Sequence, residues 1–246
     1  MTDQMIHKGP EQHSIESVDC IILAGGLGTR LRSEVPDLPK CMAPISGRPF
    51  LEFLINNLIQ QGVKNFIFSL GYMHEVIEDF LKESYPNLSY KIVIENEPLG
   101  TGGAIALACK NASTENVIIM NGDTMFKINI SELINYHINN NAQCSLSLKP
   151  MNDFDRYGVV EINKDGCIQS FNEKKFYKSG LINGGVYAIN RKSFLSIEFP
   201  EKFSFEKDYL EKYYNANTML GLIQDEYFID IGIPEDFKRA GIELTL

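Results

Sequence analysis

Val18-Asp-Cys-Ile-Ile-Leu-Ala-Gly-Gly-Leu-Gly-Thr-Arg-Leu31 is an apolar run that breaks into glycines. Val18 to Ala24 is the right length and composition for a buried strand, and Gly25-Gly26 ends it. Without a Cβ, glycine lets backbone N–H groups approach a phosphate closely. Gly25, Gly26 and Gly28 supply that freedom, and Arg30 adds a fixed cation. Two familiar phosphate loops do not fit. The dinucleotide pattern G-x-G-x-x-G fails because Leu31 stands where its third glycine belongs. The pattern G-x-x-x-x-G-K-[ST] fails because no Lys-Ser or Lys-Thr pair follows. A glycine-rich turn with no ligand remains open from these residues alone.

Working outward, residues 32 to 48 hold Pro36, Pro39 and Pro44 and no clear period. Loops of that length inside compact domains are often functional. Pro49 suits the first position of a helix. Leu51, Leu54, Ile55, Leu58 and Ile59 then recur at helical spacing, and Gly62 ends the run. Asn65 to Leu70 reads as a strand, Glu75 to Lys82 as an amphipathic helix and Tyr90 to Glu95 as a strand. Thr101 to Lys110 reads as an alanine-rich helix and Asn116 to Met120 as a strand. This alternation predicts an α/β fold with a parallel sheet and helices on both faces. Ligands collect at the carboxyl ends of such strands. The Gly25 loop, the Pro98–Gly103 segment and the Asn121-Gly122-Asp123 turn all fall at or near those ends.

The second half changes character. Gln143 to Lys149, Gly158 to Ile162, Cys167 to Phe171 and Gly184 to Ile189 read as strands, with a hairpin turn at Asn163-Lys-Asp-Gly166. Phe205 to Tyr214 and Pro234 to Ile242 read as helices. The expected architecture is a mixed, mostly parallel central sheet flanked by helices, with a smaller β portion in the C-terminal half. Residues 1–17 are polar and read as a flexible tail. Residues 18–246 read as one domain, with a nucleotide-side half (18–128) and a substrate-side half (129–246).

The 246 residues carry a net charge of −9 and no basic tract, so binding along a nucleic acid is not expected. No apolar run reaches membrane-spanning length, and the N-terminus lacks the apolar core of a signal peptide. The five scattered cysteines show no metal or disulfide spacing and fit a reducing cytoplasm. The sequence leaves a homodimer open.

Together, Gly25-Gly-Leu-Gly-Thr-Arg-Leu31 and Pro39-Lys40 resemble the G-G-x-G-T-R-L…P-K signature of the sugar-nucleotide pyrophosphorylases, a nucleotidyltransferase family with a Rossmann-like fold. The resemblance continues through Glu97-Pro-Leu-Gly-Thr-Gly-Gly-Ala104, Asn121-Gly-Asp-Thr124, Glu173-Lys174, Asn183-Gly-Gly-Val-Tyr187 and Phe228-Ile-Asp-Ile-Gly-Ile-Pro-Glu-Asp236. It spans residues 18 to 245, and so many segments in order make it specific. It implies transfer of a nucleotidyl group from a nucleoside triphosphate to a sugar 1-phosphate, with Mg²⁺ or Mn²⁺ held by Asp123 and Asp230. Arg30, Lys40 and Asp123 take the catalytic roles. Leu23, Ala24, Gly25, Gly26, Gly28, Thr29, Glu97, Leu99, Gly102 and Gly122 would surround the nucleotide. Tyr157, Gly158, Glu173, Lys174 and Asn183 would hold the sugar phosphate.

Within the family, Leu38-Pro-Lys-Cys-Met-Ala-Pro-Ile45 and Gly47-Arg-Pro-Phe-Leu-Glu52 look most like the heptose 1-phosphate guanylyltransferases. Cys41 departs from the family, which usually has proline there, and is expected to loosen its loop slightly. A carboxylate at Glu97 suits guanine, whose Watson–Crick edge offers two adjacent donors. Mannose 1-phosphate, or glucose 1-phosphate with another base, stays open. Two other classes are weaker. A non-catalytic nucleotide-sugar sensor would have lost Arg30, Lys40, Asp123 or Asp230, and an oxidoreductase would need the glycine missing at Leu31.

Overall fold

The structure is a computed structural model. It describes residues 14–26, 31, 34–216 and 218–244. The opening apolar run forms β1 (Asp19–Ala24) at the centre of a seven-stranded sheet. Successive strand side chains point to opposite faces. Ile21 therefore enters one core and Ile22 the other, and both are fully buried.

The chain continues through the short pair β2 (Pro44–Ile45) and β3 (Arg48–Pro49), then α1 (Phe50–Gln60) and β4 (Asn65–Leu70). Then come α2 (His74–Ser84), β5 (Ser89–Ile94), α3 (Gly100–Asn111) and β6 (Asn116–Asn121). Pro49 sits just before α1, opposite Pro44 in the β2–β3 ladder. The expected strands and helices of this half are present, shifted by a residue or so at their ends. Gly62 closes α1 with φ of +93°, a conformation L side chains rarely adopt.

The second half contributes β7 (Thr124–Phe126), α4 (Ile130–Asn139), β8 (Cys144–Phe154), β9 (Val160–Ile162), β10 (Ile168–Phe171) and β11 (Tyr177–Asn190). It ends with α5 (Arg191–Leu195), α6 (Glu211–Tyr213), β12 (Met219–Ile223), β13 (Phe228–Asp230) and α7 (Pro234–Glu243). The helix expected over 205–214 begins as a π-helical turn at Phe205–Leu210, continues as α6 and ends in a 3₁₀ turn. The hairpin turn at Asn163–Gly166 joins β9 to β10. Asn163 Oδ1 accepts from the N–H groups of Asp165 and Cys167, and Gly166 has φ of +80°.

Sheet order is β12-β8-β11-β6-β1-β4-β5. Only β11 is antiparallel to its neighbours, so the sheet is mixed and mostly parallel. β8 and β11 are longer than the sequence pattern suggests and pair beyond the body of the sheet, from Tyr177↔Phe154 inward. Ile15–Ser17, expected in the tail, form a 3₁₀ turn whose Ile15 is buried against the domain. The rest of that expected tail, residues 1–13, lies outside the described residues. No described helix is long and apolar enough to cross a membrane.

Candidate active site

The chain passes from β1 outward to β4 and β5, then returns to the other side of β1 to lay down β6. Connections leaving β1 and β6 therefore diverge at their carboxyl ends. That is the topological switch point where doubly wound sheets bind ligands. Leu23 pairs with Asn121, and the N–H of Gly122 donates to Leu23 O at 2.9 Å. A Cβ on Gly122 would lie 2.7 Å from that same oxygen, so glycine is required for the approach. A cleft of about 520 Å³ opens here. Leu23, Ala24, Gly25, Gly26, Lys40, Gly122 and Asp123 all line it.

Asp123 and Asp230 are distant in sequence, and β7 joins them by pairing antiparallel with β13 in the register Thr124↔Asp230. Ile231 N–H adds a bond to Asp123 O at 3.1 Å. Lys40 stands in a short 3₁₀ turn at the end of the proline-rich loop. Its ammonium reaches both carboxylates, 2.5 Å from Asp123 Oδ2 and 3.5 Å from Asp230 Oδ1. Gly232 closes the group: its N–H donates to Asp230 Oδ1 at 2.7 Å. A Cβ there would sit 2.8 Å from both that oxygen and Lys40 Nζ. Two hard carboxylates thus converge on one cationic atom. Such a pair suits a magnesium ion, which takes one or two carboxylates and fills its other positions with water and substrate phosphates.

A sequence model of the family described as Nucleotidyl transferase matches residues 19–245. The chain belongs to this family. It is 48% identical over 227 residues to the D-glycero-alpha-D-manno-heptose 1-phosphate guanylyltransferase of Aneurinibacillus thermoaerophilus, covering 92% of this chain and 98% of that one. The protein of the same description in Campylobacter jejuni is 46% identical, covering 89% of this chain and 97% of the other. The crystal structure of HddC from Yersinia pseudotuberculosis superimposes with a TM-score of 0.84 at 40% identity, covering 93% of this chain and 100% of that one. HddC has also been crystallised with GMP-PN.

The remaining expected residues divide by position in this nucleotidyltransferase. Gly28, Thr29 and Arg30 lie outside the described residues. Glu97 is exposed and does not line the cleft, whereas Glu95 does. Glu95 Oε2 accepts from Leu99 N–H at 3.0 Å, and a Cβ on Gly25 would meet its Oε1 at 2.7 Å. Burial pushes the Glu95 carboxyl up, and the Leu99 N–H opposes part of that rise. The Gly102 N–H is taken by Phe203 O at 3.0 Å, and its face is covered by the Phe203 ring. Leu99 and Gly102 thus brace the wall beside Glu95 without lining the cleft.

On the other side, Tyr157 packs edge-on against Phe228, with the Arg156 guanidinium 5.4 Å from its ring centre. Burial and then the charge of Asp230 push its hydroxyl up. Gly158 touches Asn172 O so closely that any Cβ would collide. Asn183 sits where the β11 register shifts. Its Nδ2 donates to Tyr187 Oη at 2.9 Å and its Oδ1 accepts from Gly185 N–H at 3.0 Å. Glu173 and Lys174 are exposed between β10 and β11, outside the cleft lining. Cys41 is buried at the cleft wall, and burial and the Asp123 charge push its thiol up to about 12. Thr101 and Glu206 also line the cleft, and sequence reasoning did not name them as site residues. Glu206 carries no signal: it falls at the start of an ordinary-looking helical run.

Proposed function

We propose that this nucleotidyltransferase transfers the guanylyl group of GTP to D-glycero-α-D-manno-heptose 1-phosphate, forming GDP-heptose and pyrophosphate. The observation that carries the reaction type is the convergence of Lys40, Asp123 and Asp230 at the switch point. The relatives at 46–48% identity and the carboxylate of Glu95 support the choice of substrates.

A sugar phosphate oxygen attacks the α-phosphorus in line. The new O–P bond forms as the bond between the α-phosphorus and the pyrophosphate oxygen breaks. The nucleophile is already an anion, so no general base is needed. Repulsion between anions is the obstacle, and positioning with charge neutralisation is the remedy. Lys40 supplies a fixed positive charge at the reacting phosphates. Arg30 is assigned to the β- and γ-phosphates by the family resemblance. Asp123 and Asp230 would hold Mg²⁺ or Mn²⁺, which offsets phosphate charge when bound.

Glu95, rather than Glu97, is assigned to the guanine edge, because of these two it is the one that lines the cleft. Gly25, Gly26 and Gly122 give the nucleotide close backbone contact. Tyr157, Gly158 and Asn183, with Glu173 and Lys174 on the neighbouring turn, form the sugar-phosphate side. Both substrates belong to a cytoplasmic setting.

The test is pyrophosphate release with Mg²⁺ over a grid of nucleoside triphosphates and sugar 1-phosphates. Release with GTP and the heptose phosphate above all other pairs is expected. Equal release with UTP or dTTP would overturn the base assignment, and a preference for mannose 1-phosphate would overturn the sugar.

A further inference from the structure

The π-helical turn after β11 is tied to the start of α3 by a run of hydrogen bonds. Phe203 N–H donates to Leu99 O, Gly102 N–H donates to Phe203 O, and Phe205 N–H donates to Thr101 Oγ1 at 2.9 Å. Because Thr101 Oγ1 accepts from Phe205, its own proton is free to go elsewhere. It goes to Glu206 Oε2 at 2.8 Å, and Ser204 Oγ donates to the same oxygen at 3.1 Å. The side chain is therefore held by one oxygen. Among the described residues, Oε1 has no hydrogen-bond partner and no cation pairs with the carboxylate. Glu206 lines the cleft in that state. Single π turns are frequently found at functional sites.

A carboxylate can accept several hydrogen bonds and donates none. Placed in a cleft for polyphosphates, it repels phosphate. Its natural ligand is a neutral, hydroxyl-rich group. Position selects which one. Phe205, next to Glu206 in the chain, packs edge-on against the buried Tyr187 ring with centres 5.0 Å apart. Tyr187 Oη in turn accepts from Asn183, on β11. Glu95, the carboxylate assigned to the base, sits beside Gly25 and accepts from Leu99 N–H, two residues before Thr101.

We propose that Glu206 recognises the sugar: Oε1 accepts hydrogen bonds from hydroxyls of the sugar 1-phosphate, while Thr101 and Ser204 hold Oε2 in place. Glu206 is then a specificity residue on the α3 side of the cleft, facing the Asn183 side. This rests on the sugar-phosphate transfer proposed above.

The test compares wild type, Glu206→Gln and Thr101→Val in steady-state kinetics, varying GTP and sugar 1-phosphate separately, with thermal melts as a folding control. Wild type on the substrate grid reports on the proposed reaction by itself. If it prefers another sugar phosphate, that substrate is corrected and the variants are measured on the preferred one. If it is inert on every pair, both proposals fail. For Glu206→Gln, kcat/KM for the sugar phosphate should fall about 10- to 100-fold, the size of a lost bond to a charged acceptor. KM for GTP should stay within about twofold, and the preference for heptose over mannose phosphate should shrink. Thr101→Val should move the same constants less. Unchanged sugar constants in a folded Glu206→Gln enzyme would overturn the proposal. So would a rise confined to KM for GTP that is absent with 2′-deoxy-GTP, which would place the ribose there instead.

Discussion

In the first half of the chain β4, β1 and β6 run parallel, are buried nearly throughout and end together. In the second half β8 and β11 run antiparallel past the sheet, β11 shifts register at Asn183–Tyr187, and their outer ends carry exposed side chains at Asn152, Asp153, Lys178 and Ser179. Under the proposed reaction the first half would meet the nucleotide with backbone and glycine, at Gly25, Gly26 and Gly122, and the second would meet the sugar phosphate with side chains, at Tyr157, Asn183 and Glu206. The contrast separates two kinds of failure. Changes in the first half should damage catalysis or folding, and changes in the second should redirect the choice of sugar.

The largest expected effect lies where the halves meet. Asp123→Asn should lower turnover by about a thousandfold while the protein stays folded, since charge stabilisation of this kind is worth about 10²- to 10³-fold. A wild-type rate in a folded variant would remove Asp123 from the reaction.

The seam between the halves should also be acid-sensitive. His137 is buried on α4, with Nδ1 3.0 Å from Ser145 Oγ on β8 and Nε2 3.3 Å from Asn116 Oδ1 on β6. Burial lowers its pKa to about 4. The unfolded chain therefore binds this proton first as pH falls. Stability from the neutral ring is complete above the ordinary histidine pKa of about 6.5 and is lost between there and about 4. The loss is on the order of 3 kcal/mol. Urea unfolding across that range should show it, and His137→Gln should flatten the slope. An identical slope in both proteins would assign the acid sensitivity elsewhere.

Gly122→Ala sharpens the claim that the first half works through backbone. The added Cβ meets main chain, which cannot rotate away. A stability loss of about 1–3 kcal/mol is expected, the usual cost of overpacking. An unchanged melting temperature would mean that β1 and β6 part easily. Smallest is base choice. Glu95→Gln should cut the preference for GTP over UTP about tenfold, one hydrogen bond's worth, while Glu97→Gln leaves it unchanged. The reverse pattern would restore Glu97 as the base reader.

The contrast also explains what could be read from the sequence. Val18–Ala24, Asn65–Leu70 and Asn116–Met120 are continuous apolar runs because those strands are buried on both faces, and periodicity marks them well. β7 and β13 are only three residues each, too short for any period to show, although their pairing is what joins Asp123 to Asp230. The outer parts of β8 and β11 are polar and glycine-containing, so they lack an alternating signal. α4 was missed although its start is spelled out: Asn129 caps the N–H of Glu132, and Leu133, Ile134 and His137 are buried. Lys40 and the two aspartates were legible through their motifs. Spacing cannot tell which of Glu95 and Glu97 turns inward, and in the structure Glu95 is the one that lines the cleft. Glu206 carries no sequence signal, because its tie to Thr101 exists only in the folded chain.

The most direct measurement follows the atoms. Heptose 1-phosphate carrying ¹⁸O in its phosphate would be incubated with GTP, Mg²⁺ and the enzyme, and the products weighed by mass spectrometry. Attack by the sugar phosphate on the α-phosphorus leaves all the label in GDP-heptose and none in pyrophosphate. Label in pyrophosphate or free phosphate, or no GDP-heptose at all, would contradict the proposed transfer.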